Sequence, residues 1–234
     1  MKILSIDTSS NICSISILED TTLIYEDHIS DRLTHSENLM PMIKKSLENL
    51  NLNLSDIDLF TCSKGPGSFT GIRIGVSTIC AFRDYFNKPA IGISSLESLA
   101  YNIISEENSL VCSIIDAKNN NVYAGLFKYE NSHYSLINNY IADNINNVLT
   151  MLNNYYNLPI TFVGSGAELY SELLKSTFNN CSISANNNSS SVSVAKAANY
   201  KYYNCTSKEE LSLSPLYLKK SSAEIELDKK LNKG

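Results

Sequence analysis

The chain has 234 residues, a formal net charge of -5 and 43% hydrophobic residues, so it is long enough to bury one large core or two smaller lobes. The acidic balance argues against a protein that grips nucleic acid on its own, because such proteins carry a basic surface against phosphate. Its six cysteines are scattered without a Cys-x-x-Cys pair, a pattern typical of reduced thiols in a cytosolic protein.

The distribution of apolar residues bears on localisation. Asp7 interrupts the first apolar segment before that segment reaches the length of a signal peptide. No later apolar run is long enough to cross a bilayer. We therefore expect a cytoplasmic protein that neither spans nor binds a membrane.

The first half of the chain shows strand alternation followed by helical spacing. The predicted elements are strands over Lys2–Asp7, Asn11–Glu19 and Leu23–Ile29, a helix over His35–Leu50, a strand over Ile57–Ser63, a helix over Phe69–Phe86, a strand over Ala90–Ile93 and a helix over Ser95–Ile104. The first six of these elements have the order βββαβα.

The second half repeats this order. The predicted elements are strands over Leu110–Asp116 and Val122–Tyr129, a third strand near His133–Ile141, a helix over Ile145–Tyr156, a strand over Ile160–Val163, and helices near Ala167–Phe178 and Val192–Tyr203. Duplicated βββαβα lobes are the plan of the actin-like ATPase fold, which actin, Hsp70 and the sugar kinases share. We therefore predict an α/β protein with lobes over residues 1–105 and 106–218, and a charged tail over residues 219–234.

A glycine-rich run from Gly65 to Gly75 joins the fourth strand to the second helix, with Ser68 as the predicted N-cap. One interpretation is a phosphate site at the helix start, but the run has no lysine at the spacing of a phosphate-binding loop. The favoured interpretation is packing, in which Gly71 and Gly75 leave room for the helix of a partner.

Short motifs are spread along nearly the whole chain. They are Ile6-Asp7-Thr8-Ser9, His35 to Pro41, Gly65 to Gly75, Ser94 to Ala100, Ile115-Asp116-Ala117 and Pro215-Leu216-Tyr217-Leu218. In this order and spacing they resemble the TsaB (YeaZ) family. Two positions depart from the family pattern, because Lys118 and Lys219 stand where arginine is expected. Lysine keeps the charge but lacks the planar fork of arginine.

The resemblance implies a non-catalytic subunit of the machine that places a threonylcarbamoyl group on the adenosine next to the anticodon of transfer RNA. The implied partners are the catalytic subunit TsaD, the ATPase TsaE and, through the same face, a second copy of the chain, with tRNA reached only through the complex. The residues predicted to bind TsaD or the second copy are His35, Leu39, Met42, Ile43, Ser68, Phe69, Thr70, Gly71, Arg73, Ile74 and Gly75.

Asp7, Thr8, Ser9 and Asp116 are candidates for a vestigial nucleotide cleft between the lobes. Two facing carboxylates could hold magnesium, which would make the chain a nucleotide-dependent phosphotransferase or ATPase. The favoured interpretation is that both aspartates cap their own turns, because neither turn has the glycine that lets phosphate approach the backbone.

A metallopeptidase is a second alternative, because related proteins have carried that label. The catalytic relative holds a metal with two histidines one helical turn apart, at positions that align with Ser95 and Leu99 here. The three histidines of the chain, His28, His35 and His133, have no short ligand spacing. We therefore predict no metal site and no cofactor.

Overall fold

Two mixed β-sheets organise the protein, and helices pack on both of them. The computed structural model describes residues 1–30, 35–137, 139–207 and 211–219. The first half contains β1 (Lys2–Asp7), β2 (Cys13–Glu19), β3 (Thr22–Ile29), α1 (His35–Leu50), β4 (Leu59–Ser63), α2 (Phe69–Phe86), β5 (Ala90–Ile93) and α3 (Ser95–Ala100). The second half contains β6 (Leu110–Asp116), β7 (Asn121–Glu130), β8 (His133–Leu136), β9 (Ile141–Asn144), α4 (Ile145–Met151), β10 (Ile160–Val163), α5 (Ser165–Leu169), α6 (Ser171–Thr177), β11 (Cys181–Ile183) and α7 (Ser191–Asn204).

Both sheets have the same strand order. The first sheet runs β3-β2-β1-β4-β5, and the second runs β8-β7-β6-β10-β11. The first two strands of each half along the chain, β1 with β2 and β6 with β7, pair antiparallel. The parallel pairs are β1 with β4 and β4 with β5 in the first sheet, and β6 with β10 and β10 with β11 in the second. The repeated order confirms the predicted α/β class with duplicated βββαβα lobes of the actin-like ATPase fold.

The third strand of the second lobe differs from the prediction of one strand near His133–Ile141. Two short strands, β8 and β9, both pair with β7 on the same side. β8 pairs with residues 127–130 of β7 and β9 with residues 121–124, so the ten-residue β7 is long enough to hold both. Helix α3 also ends earlier than Ile104, at Ala100, where N–H groups of the next residues form tighter i to i-3 hydrogen bonds.

The last helix of each half packs on the sheet of the other half. Helix α3 contacts β6, β7 and β8, while α7 contacts all five strands of the first sheet. The apolar residues on the buried face of α7 are Val194, Ala195, Ala197 and Ala198. Its three alanines let the helix approach the sheet closely. Because α7 lies after the predicted boundary at 105 and 106, residues from beyond that boundary complete the core of the first lobe.

The C-terminal segment 211–219 also returns to the first lobe. Leu213 is buried in the core that the first sheet forms with α1 and α2, and the Leu216 N–H donates to the Lys64 carbonyl over 2.7 Å. Of the predicted charged tail, only Lys219 lies within the described residues. No helix in the described ranges has the length and hydropathy that a bilayer crossing requires.

Candidate functional site

The start of α2 packs directly on the turn between β1 and β2. The Ser68 side chain accepts a hydrogen bond from the Gly71 N–H over 3.2 Å, so it is the N-cap that the sequence predicts. The Ser68 N–H donates to the Ser9 carbonyl over 2.7 Å. In return, the Thr8 hydroxyl donates to the Gly71 carbonyl over 2.8 Å. The last two of these bonds fix the helix start against residues 8 and 9.

The glycines of this run give room to the chain's own turn. A Cβ atom at Gly71 would overlap the Thr8 carbonyl oxygen, and one at Gly67 would overlap the Ser9 carbonyl oxygen. At Gly75 it would lie 2.6 Å from the Thr8 hydroxyl. The prediction that Gly71 and Gly75 clear space for a partner's helix is therefore wrong, because that space is filled within the molecule.

The structure also corrects the predicted partner contacts on α1. Leu39, Met42 and Ile43 are at most 3% exposed and lie in the core of the first lobe. Their helical spacing reflects packing on the sheet, so they cannot contact a partner directly while the lobe stays folded. Three of the other predicted residues are exposed, namely Ser68, Thr70 and Arg73, and two are half-buried, namely Phe69 and Ile74. Contact of these five residues with a partner stays a prediction.

His35 begins α1 and makes a polar contact with the same β1–β2 turn. Its Nε2 lies 2.8 Å from the Ser10 carbonyl oxygen, so this ring nitrogen carries the proton in that bond. The Nδ1 atom is buried and has no hydrogen-bond partner within the described residues. The His35 ring is half-buried, and its contact with a partner stays a prediction.

An exposed cluster of one arginine and two aromatic rings lies beside these residues. The rings of Phe69 and Tyr217 stack with their centroids 4.4 Å apart. The guanidinium carbon of Arg73 is 4.0 Å from the centroid of the Phe69 ring, and its Nε donates to the Tyr217 hydroxyl over 3.0 Å. Tyr217 is not among the site residues predicted from the sequence, although it lies in the motif Pro215-Leu216-Tyr217-Leu218.

Asp7 ends β1 and caps the turn that follows. Its Oδ1 accepts hydrogen bonds from the Ser9 N–H over 2.8 Å and from the Ser9 hydroxyl over 2.7 Å. Oδ2 is buried without a partner among the described residues, and Asp7 as a whole is 1% exposed. Burial raises the pKa of Asp7 above its ordinary value, and the hydrogen bonds from Ser9 offset only part of the rise.

Asp116 caps the corresponding turn of the second lobe. Its Oδ1 accepts from the Lys118 N–H over 2.9 Å, and its Oδ2 accepts from the Lys118 ammonium over 2.8 Å. Burial raises the pKa of Asp116, but the bonds from Lys118 outweigh burial and hold the pKa below the ordinary value. The Lys118 ammonium is thus the counter-charge of this carboxylate.

The positions that align with metal ligands of the catalytic relative belong to the core. The Ser95 hydroxyl shares a 2.7 Å hydrogen bond with the Ser63 hydroxyl, and Leu99 packs among residues of the second sheet. Across the described ranges, no group of three or more His, Cys, Asp or Glu side chains is arranged to hold a metal ion.

The raised pKa of Asp7 predicts a specific pH dependence of stability. The folded protein binds more protons than the unfolded chain between the unfolded-state pKa of about 4 and the higher folded-state pKa. Stability from this residue is therefore present at low pH and lost as pH rises through the folded-state pKa. We expect the free energy of unfolding of Asp7→Asn, relative to the wild type, to increase with pH over that window.

Urea denaturation of both proteins at a series of pH values measures this difference, in which the titration of all other groups cancels. If the difference in the free energy of unfolding between Asp7→Asn and the wild type stays constant from about pH 4 to about pH 8, the pKa of Asp7 is not shifted.

Comparisons with known proteins now identify the family. Residues 30–227 match the family model described as TsaD, tRNA N6-adenosine threonylcarbamoyltransferase. The tRNA threonylcarbamoyladenosine biosynthesis protein TsaB of Bacillus subtilis is 32% identical over 178 residues, which are 75% of this chain and 76% of that protein. The protein of the same name from Haemophilus influenzae is 26% identical over 227 residues, or 94% of each chain.

Solved structures agree with this relationship at the level of the fold. YeaZ from Pseudomonas aeruginosa has a TM-score of 0.75 at 21% identity, over 93% of this chain and 99% of that one. A second Pseudomonas aeruginosa structure, described as an uncharacterized protein with similarity to peptidase YeaZ, has a TM-score of 0.77 at 21% identity and the same coverage. The chain belongs to the TsaB (YeaZ) family, within the wider group that the TsaD model describes.

Proposed function

We propose that this chain is a non-catalytic scaffold subunit, required with TsaD and TsaE for the transfer of a threonylcarbamoyl group to N6 of the adenosine next to the tRNA anticodon. In this proposal threonylcarbamoyl-AMP is the donor and TsaD performs the transfer. The names of the Bacillus subtilis and Haemophilus influenzae relatives support a role in threonylcarbamoyladenosine biosynthesis.

The proposal that the subunit is non-catalytic is supported by the hydrogen bonds and ion pair that occupy the two turn carboxylates, Asp7 and Asp116. In nucleotide-binding members of this fold, the first-lobe turn meets the phosphates and their magnesium ion. Here the start of α2 covers that turn, and Asp7 is 1% exposed with Oδ1 bonded to Ser9. Asp116 is paired with Lys118. Both carboxylates thus accept hydrogen bonds within their own turns, which favours a scaffold over a phosphotransferase.

The surface proposed for TsaD is the exposed face at the start of α2, which includes Ser68, Thr70 and Arg73 with the half-buried Phe69 and Ile74. A second copy of the chain would compete for the same face, and TsaE would dock on the assembled pair. Because the net charge is -5, tRNA contact is assigned to the complex as a whole.

Depletion of this protein followed by mass analysis of tRNA nucleosides tests the proposed function. We expect threonylcarbamoyladenosine to be lost and to return when the wild-type chain is supplied. Ile74→Glu should not restore it, because the new carboxylate introduces a charge into a half-buried apolar contact with TsaD. Lys196→Glu is the matched control, since Lys196 is exposed on α7 and is not part of the proposed face.

Copurification with TsaD and circular dichroism accompany each variant, so that a lost contact is separated from a lost fold. Unchanged threonylcarbamoyladenosine after depletion would overturn the proposed function.

One observation favours the alternative of a phosphotransferase or ATPase, because Oδ2 of Asp7 is buried without a partner in the described part of the chain. The same complementation experiment separates the two functions. Asp7→Asn should restore threonylcarbamoyladenosine if the carboxylate only caps its turn. Failure of a folded Asp7→Asn protein to do so would favour chemistry in the cleft.

A further inference from the structure

Arg73 is held in one orientation by two aromatic residues from distant parts of the chain. Its guanidinium carbon is 4.0 Å from the centroid of Phe69 and 5.9 Å from that of Tyr217. The Tyr217 hydroxyl accepts the Nε–H bond over 3.0 Å. Cation–π contact and a hydrogen bond thus restrain a side chain that is otherwise among the most mobile on a surface.

The terminal nitrogens of this guanidinium remain available. Nε is the only Arg73 atom with a hydrogen bond among the described residues, and none of the ion pairs formed within those ranges includes Arg73. The two Nη groups carry four N–H donors in a planar fork, which matches the two oxygens of a carboxylate. A restrained guanidinium loses less entropy when it binds such a group.

The aromatic residue that completes this arrangement comes from the C-terminal segment 211–219. Tyr217 is 40% exposed, but the segment itself is anchored by the buried Leu213 and by the Leu216 N–H bond to the Lys64 carbonyl. Tyr217 therefore has a fixed place beside α2, although it lies 144 residues from Arg73 in sequence.

We infer that Arg73 binds a carboxylate side chain of a different protein, and that Phe69 and Tyr217 are positioning residues for this contact. The inference rests on the proposed function, because it assigns the chemistry of the surface proposed for TsaD. It adds the C-terminal segment to a surface otherwise formed by the first lobe. The group expected opposite Arg73 is an aspartate or glutamate with apolar neighbours that cover the two rings.

The sequence around Arg73 argues for a different protein as the occupant. No aspartate or glutamate occurs between Gly65 and Arg83. In a two-fold contact between copies of this stretch, no carboxylate from the stretch would face Arg73. An arginine without a counter-charge weakens an interface, so a second copy is the less favourable partner for this stretch.

The test measures the affinity of the full chain for the TsaD protein of the same organism by calorimetry. Arg73→Gln should weaken binding about tenfold, the effect of losing a charged hydrogen-bonded contact. Arg73→Lys should also weaken it, because lysine keeps the charge without the fork. Arg83→Gln is the control, since Arg83 lies at the other end of α2 and is paired with Asp84.

Tyr217→Phe keeps the ring stack and removes only the hydroxyl, so we expect about a threefold loss of affinity. A positioning role requires that this loss disappear when Arg73 is already glutamine, which a double-mutant cycle measures. An equal loss in both backgrounds would overturn the positioning role and leave Tyr217 as a direct contact.

The remaining outcomes separate the inference from the function on which it rests. Wild-type affinity in both Arg73 variants would overturn the inference and leave the scaffold function intact. Absence of binding by the wild type would overturn the proposed partnership, and the inference with it. Self-association of the wild type that Arg73→Gln abolishes in sedimentation equilibrium would show that a second copy is the occupant, contrary to the inference.

Discussion

Gly71→Ala should lower the free energy of unfolding by about 3 kcal/mol, near the upper end of the usual overpacking effect. The new Cβ would overlap the Thr8 carbonyl oxygen, a backbone atom in the residue that follows β1, whose last residue Asp7 pairs with Ser14 of β2. Helix propensity alone predicts the opposite sign, since alanine is favoured over glycine in a helix by about 1 kcal/mol. The steric overlap is the larger effect and decides the direction.

Urea denaturation followed by circular dichroism measures this loss, and two variants on the same helix provide controls. Gly75→Ala should be milder, because the atom it meets is the Thr8 hydroxyl at 2.6 Å, a side-chain group that can rotate. Ser77→Ala, at an exposed position, should change stability by less than about 0.5 kcal/mol. A Gly71→Ala protein as stable as the wild type would show that the turn moves away easily.

Interface mutagenesis should avoid Gly71 for the same reason. A large residue at this position would disrupt the first lobe before any partner is involved, and its loss of binding would be uninformative. Arg73 lies two residues further along the same helix and is exposed, so it tests the interface without that confusion.

Lys201→Met should also destabilise the protein by about 3 kcal/mol, the effect expected when one member of a buried ion pair is removed. The Lys201 ammonium lies 2.7 Å from the Glu97 carboxylate, and the two side chains are 16% and 7% exposed. Glu97 is on α3 and Lys201 is on α7, the two helices that pack on the opposite sheets. The variant would leave the Glu97 carboxylate buried without a counter-charge.

A double variant distinguishes loss of the pair from loss of packing. Glu97→Met combined with Lys201→Met should recover most of the stability, because an apolar pair has no charge to bury. Lys196→Met is the exposed control on the same helix. A double variant that is less stable than Lys201→Met alone would mean that the carboxylate has other essential partners.

Much of the secondary structure follows from local patterns in the chain. The bounds of α1, α2, β1, β5, β6 and β10 agree with the predicted ones. α2 is a clear case, because Ser68 caps its start and Asn87 ends it in a left-handed conformation. The repeated order of elements along the chain was also predicted from the sequence, since each half begins with an apolar strand that ends in an aspartate.

The candidate surface was predicted only in part. Helical periodicity shows that Leu39, Met42 and Ile43 share a face, but it does not tell whether a sheet of the same chain or a partner covers that face. Glycine spacing likewise indicates a close approach without identifying the approaching group, which is the β1–β2 turn. Tyr217 joins Arg73 through the return of residues 211–219 to the first lobe, a contact that no local pattern predicts.

Alternation, helical spacing, caps and short motifs are local properties of the chain, so the fold class, the element order and the family resemblance could be predicted from them. The folded protein was needed to show which helix packs on which sheet, that the glycines face Thr8 and Ser9, and that Tyr217 orients Arg73. Burial and close approach depend on residues far apart in sequence, and their contacts form only once the chain has folded.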